Sequence, residues 1–478
     1  MTVQMRSRVR ASALSPGVGG AGERLRSHDV VQRVRFRRAS RRLAYALAFA
    51  AATAAIVWSV VRGRALQRLH PEVLLGAAPL VGRDPSDGWD WRFGFGLVGA
   101  AVVAAVVIVA TRGGWFWTVR LRTLTFGSAL AAMAFATALA LTDGADGLLH
   151  GAGHGTEYVD GLDSLPGAGE FVRTFVERID GYSVHVRGHP PGFVVVLKLM
   201  AFVGLGGKWP AALLSVAAIG ALVASTLVTV WAVAGGNWVR RTAPFLVVAP
   251  YAIWLVTSAD AFFTAVGATG VAAVAVALRL RPGRALVASA LGGALLGLLL
   301  FLTYLGVVFA LVPAVLALAA LIRRQRSAAT VLVGAAGSAA AVVLAFRLSG
   351  FRWIDGARRT RTEYWEGTAQ FREWGYFRIA NLAVALVAVG PAVLAGLMRL
   401  RDRRVWLLAG SALLGLTASH LSQYTRGEVE RIWLLFYPWL TIAAAALVVR
   451  SRPRSWAAWV GAQAGCAIVL QAALVSKW

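Results

Sequence analysis

Thirteen apolar segments joined by short polar stretches constrain this chain more than any other feature. They occupy residues 43–61, 93–110, 124–141, 211–234, 244–256, 261–278, 285–302, 305–321, 328–344, 380–398, 405–418, 432–449 and 456–474. A fourteenth, 193–205, is shorter than a crossing helix needs. A hydrocarbon core about 30 Å thick takes about 20 apolar residues of helix, and backbone deprived of water must satisfy its own polar groups. The sequence therefore predicts an all-α, polytopic membrane protein, with about 13 transmembrane helices plus a re-entrant or juxtamembrane helix at 193–205. Composition bears on the same point. Hydrophobic residues make up 58% and charged residues 15%, against roughly a quarter charged in soluble domains.

The net charge of +27 comes from 49 basic and 22 acidic residues. Most arginines cluster between apolar segments, which reads as topology and anionic-lipid contact rather than nucleic-acid binding. Clusters at 33–38, 112–122, 240–241, 279–284, 323–326, 399–404 and 450–454 all fall on one side if thirteen segments cross and 193–205 does not. That side is expected to be the cytoplasm, and the membrane the cell inner (cytoplasmic) membrane. Residues 1–40, rich in Arg and Ser without an apolar centre, read as a disordered basic cytoplasmic tail rather than a cleavable signal. Residues 41–478 read as the membrane domain. Cys466 is the only cysteine, so neither an internal disulfide nor a Cys-rich metal site is expected. Lysines number three (Lys198, Lys208, Lys477), a bias that fits a GC-rich bacterial genome.

The resulting topology leaves outward loops at 142–192, 345–379 and 419–431, another around Trp89, and a hairpin at Thr257–Asp260. Acids, histidines and a set of arginines gather in them, while the apolar segments hold almost no ionisable groups. Proton-coupled transport usually needs such groups at mid-membrane depth, so the pattern favours chemistry at the outer interface. The loop 345–379 carries Arg347, Arg352, Arg358, Arg359, Arg361, Arg372 and Arg378 against the positive-inside trend. Two accounts stand side by side. One is salt bridges to Asp355, Glu363, Glu366 and Glu373. The other is phosphate binding, which guanidinium performs in a bidentate manner.

The stretch DGYSVHVRGHPPGF at 180–193 follows an acidic segment, Glu157-Tyr-Val-Asp160-Gly-Leu-Asp163, and runs into an apolar helix. This order resembles the first outward loop of GT-C membrane glycosyltransferases, which use polyprenyl-phosphate sugars. Arg240-Arg-Thr-Ala-Pro…Pro250-Tyr…Ser258-Ala-Asp260 is similar to a later pattern of that superfamily. The turn Arg426-Gly-Glu-Val-Glu-Arg431-Ile-Trp looks like its actinobacterial members. The resemblance covers roughly residues 124 to 280, and departs from the family in the position of its acids and in Gly after His-Pro-Pro. It implies transfer of a sugar, mannose or arabinose in actinobacteria, from a polyprenyl-phosphate donor to an extracytoplasmic glycan, lipid or protein acceptor.

Such a transfer needs one carboxylate to take the acceptor's proton and positive charge for the departing phosphate. Asp160 is the first candidate for the base and Glu157 the second; three apart, they share a face if the segment is helical. Asp143 and Asp146 are rivals in a turn-like setting. His189, rigidly placed before two prolines, and His185 are candidates to bind substrate or orient the acid. Asp260 either lines the sugar pocket or caps the following helix. Arg426, Arg431, Arg358 and Arg359 are candidates for the lipid phosphate, with local Glu–Arg networks as the alternative. A divalent cation near Glu157 and Asp160 is a further possibility. Residues 170–178 read as an interfacial amphipathic helix, and Trp365 as a surface for sugar stacking. Two other classes stay open: a transporter or flippase of lipid-linked sugars, and a non-catalytic scaffold.

Overall fold

A computed structural model describes residues 20–73, 75, 91–153, 157–256 and 258–474. Trp89, Thr257 and residues 1–19 of the expected tail lie outside the described residues. Among the described residues the regular structure is helical throughout. Residues 20–40, read as part of the basic tail, belong to a helix, Gly20–Leu69. Their Arg, Glu, Gln and Leu content has good helix propensity, and the apolar stretch that follows extends the same helix. The chain forms two compact units, residues 1–53 and 54–478; the site described below belongs to the second.

Nine helices among the described residues are long and apolar enough to cross a membrane, or ten if one bent pair counts as a span. We number them α1 (Gly20–Leu69, apolar over Arg42–Leu69), α2 (Phe95–Arg112), α3 (Leu121–Ala140), α4 (Lys208–Ala234), α5 (Asp260–Ala277), α6 (Pro282–Leu302), α7 (Ala328–Leu348), α8 (Arg403–Ser422) and α9 (Pro453–Ala473). The chain is thus a multi-pass membrane protein. The four other expected segments are shorter or broken, and each contains a proline inside its apolar stretch. Residues 244–256 split into Gly236–Val247, with Pro244 inside, and a 3-10 turn Pro250–Trp254. Residues 305–321, with Pro313, fall in the shorter helix Gly306–Ile322. Residues 380–398 bend by 93° between Trp374–Val389 and Pro391–Arg399. Residues 432–449, with Pro438, break into short α and 3-10 turns. Proline removes a backbone donor and clashes with the preceding turn, so long helices persist only where it is absent from the apolar run.

Buried polar side chains repair the breaks. At the 93° bend Gly390 takes φ +81, and Gln463 of α9 bridges the gap: its Nε2 donates to Val389 O at 2.8 Å and its Oε1 accepts from Ala392 N at 3.0 Å.

Contacts sort the polar joints into two ends. At one end Arg240 donates to Phe116 O and Val119 O at 2.6 and 2.7 Å, Trp238 donates to Asp402 at 3.0 Å, and Arg450 lies over Trp117. At the other end the stretches 157–192, 350–373 and 423–431 meet. The first of these is anchored by the short helix Gly192–Phe202, the expected 193–205 piece. Gly192 sits so close to α6 that a Cβ there would lie 2.3 Å from Phe301 O. From the same helix Lys198 donates to Leu162 O and Leu165 O at 3.1 and 2.9 Å. The expected amphipathic helix 170–178 is shorter, Ala168–Thr174, and buries Phe171 and Val172.

Candidate functional site

Arg431 is the centre of the second end. It follows a tight turn in which Gly427 and Glu428 adopt positive φ, +86 and +60. Asn381 staples that turn, its Nδ2 donating to Thr425 O at 2.7 Å while its Oδ1 accepts from Gly427 N at 3.0 Å. Arg372 adds a bond to Glu428 at 2.9 Å and one to Arg426 O at 2.6 Å. The turn thereby aims the Arg431 side chain inward, where the residue is only 3% exposed.

Three carboxylates surround this guanidinium. Nη1 lies 3.2 Å from Glu157 Oε1, Nε 3.3 Å from Asp260 Oδ2, and Nη2 3.8 Å from Glu428 Oε2. Nη2 also donates to His185 Nδ1 at 2.9 Å, and His185 Nε2 lies 3.2 Å from the same Glu157 oxygen. A buried guanidinium is costly unless compensated, and here four side chains from four stretches of the chain compensate it.

Glu157 is 3% exposed. Burial pushes its carboxyl up to about 7 from an ordinary 4.5, Arg431 pulling down against it and the charge of Asp260 adding to the rise. A buried acid that exchanges its proton near neutrality is the form a general base takes. Burial also acts to raise Glu428, but Arg372 and Arg431 outweigh it and hold that carboxyl below its usual range. His189 donates from Nδ1 to His185 O at 3.0 Å and packs against Tyr158 and Phe263. Burial lowers its affinity for a proton, with Asp260 opposing.

The structure therefore brings together Glu157, His185, Asp260 and Arg431, with His189 behind His185. Asp160, the first choice of base, stands outside this group. Residues 157–160 form bends and a turn ahead of Gly161 rather than a helix, so a spacing of three does not place the two acids on one face. Asp160 is exposed and pairs with Lys208 at 2.8 Å. Asp260 opens α5 without capping it; the cap position is Ala259 and no side chain caps there. Asp143 pairs with Arg92.

The remaining arginines divide. Arg359 bonds Asp180 at 2.5 Å and Glu363 at 3.2 Å, a local network of the kind weighed for this loop. Arg426 donates to Arg372 O at 2.7 Å and Gln423 at 2.6 Å, and its guanidinium lies 4.5 Å from the centre of the Trp365 ring. Arg358 is exposed and makes no ion pair among the described residues. Its helix, Trp353–Glu366, rests on the short helix Val184–Gly188 that carries His185, through Thr360 donating to Arg187 O at 3.0 Å and Arg187 meeting Glu363 at 3.5 Å.

No group of three or more His, Cys, Asp or Glu among the described residues is arranged to hold a metal ion. The carboxylates that converge, Glu157, Asp260 and Glu428, do so on Arg431. Sequence reasoning did not single out Tyr158 or the structural role of Arg372. The only signal for Tyr158 was its place beside Glu157.

Comparison with family models, with curated proteins and with solved structures gives no match.

Proposed function

We propose that this protein is an integral-membrane glycosyltransferase of GT-C type. It transfers a sugar from a polyprenyl-phosphate donor to an acceptor of the cell envelope, outside the inner membrane. In this reading the four proline-broken segments also cross, giving thirteen crossings. The arginine-rich joints then face the cytoplasm and the Arg431 cluster faces outward. The observation that carries the proposal is Glu157, a buried carboxyl exchanging its proton near neutrality and held by Arg431 and His185 at the end opposite the arginine-rich joints. The resemblance of the stretch 157–193 to the first outward loop of that superfamily supports the same reaction.

The chemistry follows from the atoms present. An acceptor hydroxyl gives its proton to Glu157 as its oxygen bonds to the anomeric carbon. The bond from that carbon to the phosphate oxygen breaks, and polyprenyl phosphate leaves with the electron pair. The anomeric configuration inverts. Arg431 and His185 hold Glu157 in place. The charge of Arg431 is already met by three carboxylates, so the phosphate falls to Arg358 and Arg426 instead.

The test is complementation of a deletion strain, with envelope glycans profiled by mass spectrometry and membrane expression checked. Glu157→Gln should fail to restore the lost glycan, while Asp160→Asn restores it. A deletion that changes no glycan, or a Glu157→Gln variant that restores it fully, would overturn the proposal.

A further inference from the structure

Tyr158 is 4% exposed, and its hydroxyl has no hydrogen-bond partner among the described residues. Of the other tyrosines at this end, Tyr376 donates to Ser59 O at 2.9 Å, Tyr437 donates to Val429 O at 2.7 Å, and the partly buried Tyr364 accepts from Arg426 N at 2.8 Å; the hydroxyl of Tyr182, like that of Tyr158, has no partner among the described residues, but only Tyr158 stands beside the Glu157 cluster. Leaving a buried hydroxyl unpaired costs about 1–3 kcal/mol, so this one calls for an occasional partner of its own.

Its surroundings define that partner. The hydroxyl lies within electrostatic range of Glu157, Asp260 and Arg431. The ring meets Phe193 edge-on at 4.9 Å and lies 6.1 Å from His189, while Phe193 in turn packs on Phe262 and Phe263. The hydroxyl, which both donates and accepts, thus has two carboxylates and a guanidinium in its electrostatic surroundings, while the ring rests on aromatic carbon. A carbohydrate has this same division, hydroxyls around its rim and C–H groups on its faces. A phosphate would meet an excess of negative charge here.

We propose that Tyr158 is a binding residue whose hydroxyl pairs with a hydroxyl of the sugar bound against Glu157. This rests on the glycosyltransferase reading and deepens it: recognition beside the base is of sugar rather than phosphate. The hydroxyl belongs either to the donor's sugar or to an acceptor sugar.

The experiment uses the full chain and the single change Tyr158→Phe. In purified, ligand-free protein the melting temperature should stay level or rise, because only an unpaired hydroxyl is removed. In membranes of the deletion strain, supplied with the polyprenyl-phosphate form of whichever sugar the deletion removes, the transfer rate at limiting substrate should fall about tenfold. Recovery on raising the donor assigns the hydroxyl to the donor's sugar; recovery on raising the acceptor assigns it to the acceptor. A lowered melting temperature, or full transfer by Tyr158→Phe where Glu157→Gln has none, overturns this inference and leaves the glycosyltransferase reading standing. Full transfer by Glu157→Gln overturns that reading instead.

Discussion

Arg431 Nη2 and His185 Nδ1 share a 2.9 Å hydrogen bond, and this one bond fixes where the histidine proton sits. Guanidinium only donates, so Nδ1 is the acceptor and the proton is on Nε2, the nitrogen that faces Glu157 at 3.2 Å. The imidazole therefore relays a hydrogen bond from cation to acid. Glutamine offers the same acceptor and donor. We expect His185→Gln to keep most of the stability, and His185→Ala to lose about 1–3 kcal/mol by stranding both neighbours; denaturation of the reconstituted protein checks the ranking.

Arg431 is the cation that three acids share. Arg431→Gln should cost about 3–5 kcal/mol, because removing one member of a buried ionic group leaves the others uncompensated. Adding Glu428→Gln and Asp260→Asn to it should recover part of that loss. Equal stability of the single and triple variants would show that these charges do not interact as described.

Glu157 makes stability depend on pH in a definite direction. Its folded-state value, about 7, lies above its ordinary 4.5, so the folded protein holds this proton more tightly than the unfolded chain does. Stability from this group is present at low pH and is lost as pH climbs from about 4.5 to about 7, by an amount on the order of 3 kcal/mol, then levels. Glu157→Gln should remove that slope. The measurement is the difference in melting temperature between wild type and variant across this window.

Gln463 closes the 93° bend from another helix. Replacing it with leucine preserves bulk but leaves Ala392 N and Val389 O without a partner in an apolar setting. A loss of about 2–4 kcal/mol is expected, with the rest of the fold unchanged by circular dichroism.

Much of this was legible before any coordinates. Apolar run length placed the nine long helices; four further runs, read as crossings of the same kind, are shortened or broken at prolines 244, 250, 313, 391 and 438, whose effect run length alone does not register. The residue types of the site were legible too: Glu157, His185, Asp260 and Arg431 all stood out as polar groups at the edges of apolar runs. Their convergence was not. Glu157 and Arg431 are 274 residues apart, and only packing brings them within a hydrogen bond. Asp160 and Glu157 were placed on one face by a helical period, in a segment that Gly161 and its neighbours turn. Tyr158 was passed over because an apolar ring beside an acid gives no sign, in sequence, of whether its hydroxyl will find a partner.

The distance along the chain between Glu157 and Arg431 also sets a timetable. At about 5–20 residues per second, translation delivers the cation about 14 to 55 seconds after the acid. Within that interval His185 and then Asp260 are added, 28 and 103 residues after Glu157, before Arg431 is made. A nascent chain can hold this end open but cannot lock it, since a carboxyl group that keeps its proton tolerates the wait. Closure comes when the turn at 423–431 arrives, so a ribosome that stalls earlier leaves an unfinished loop end for membrane proteases to recognise.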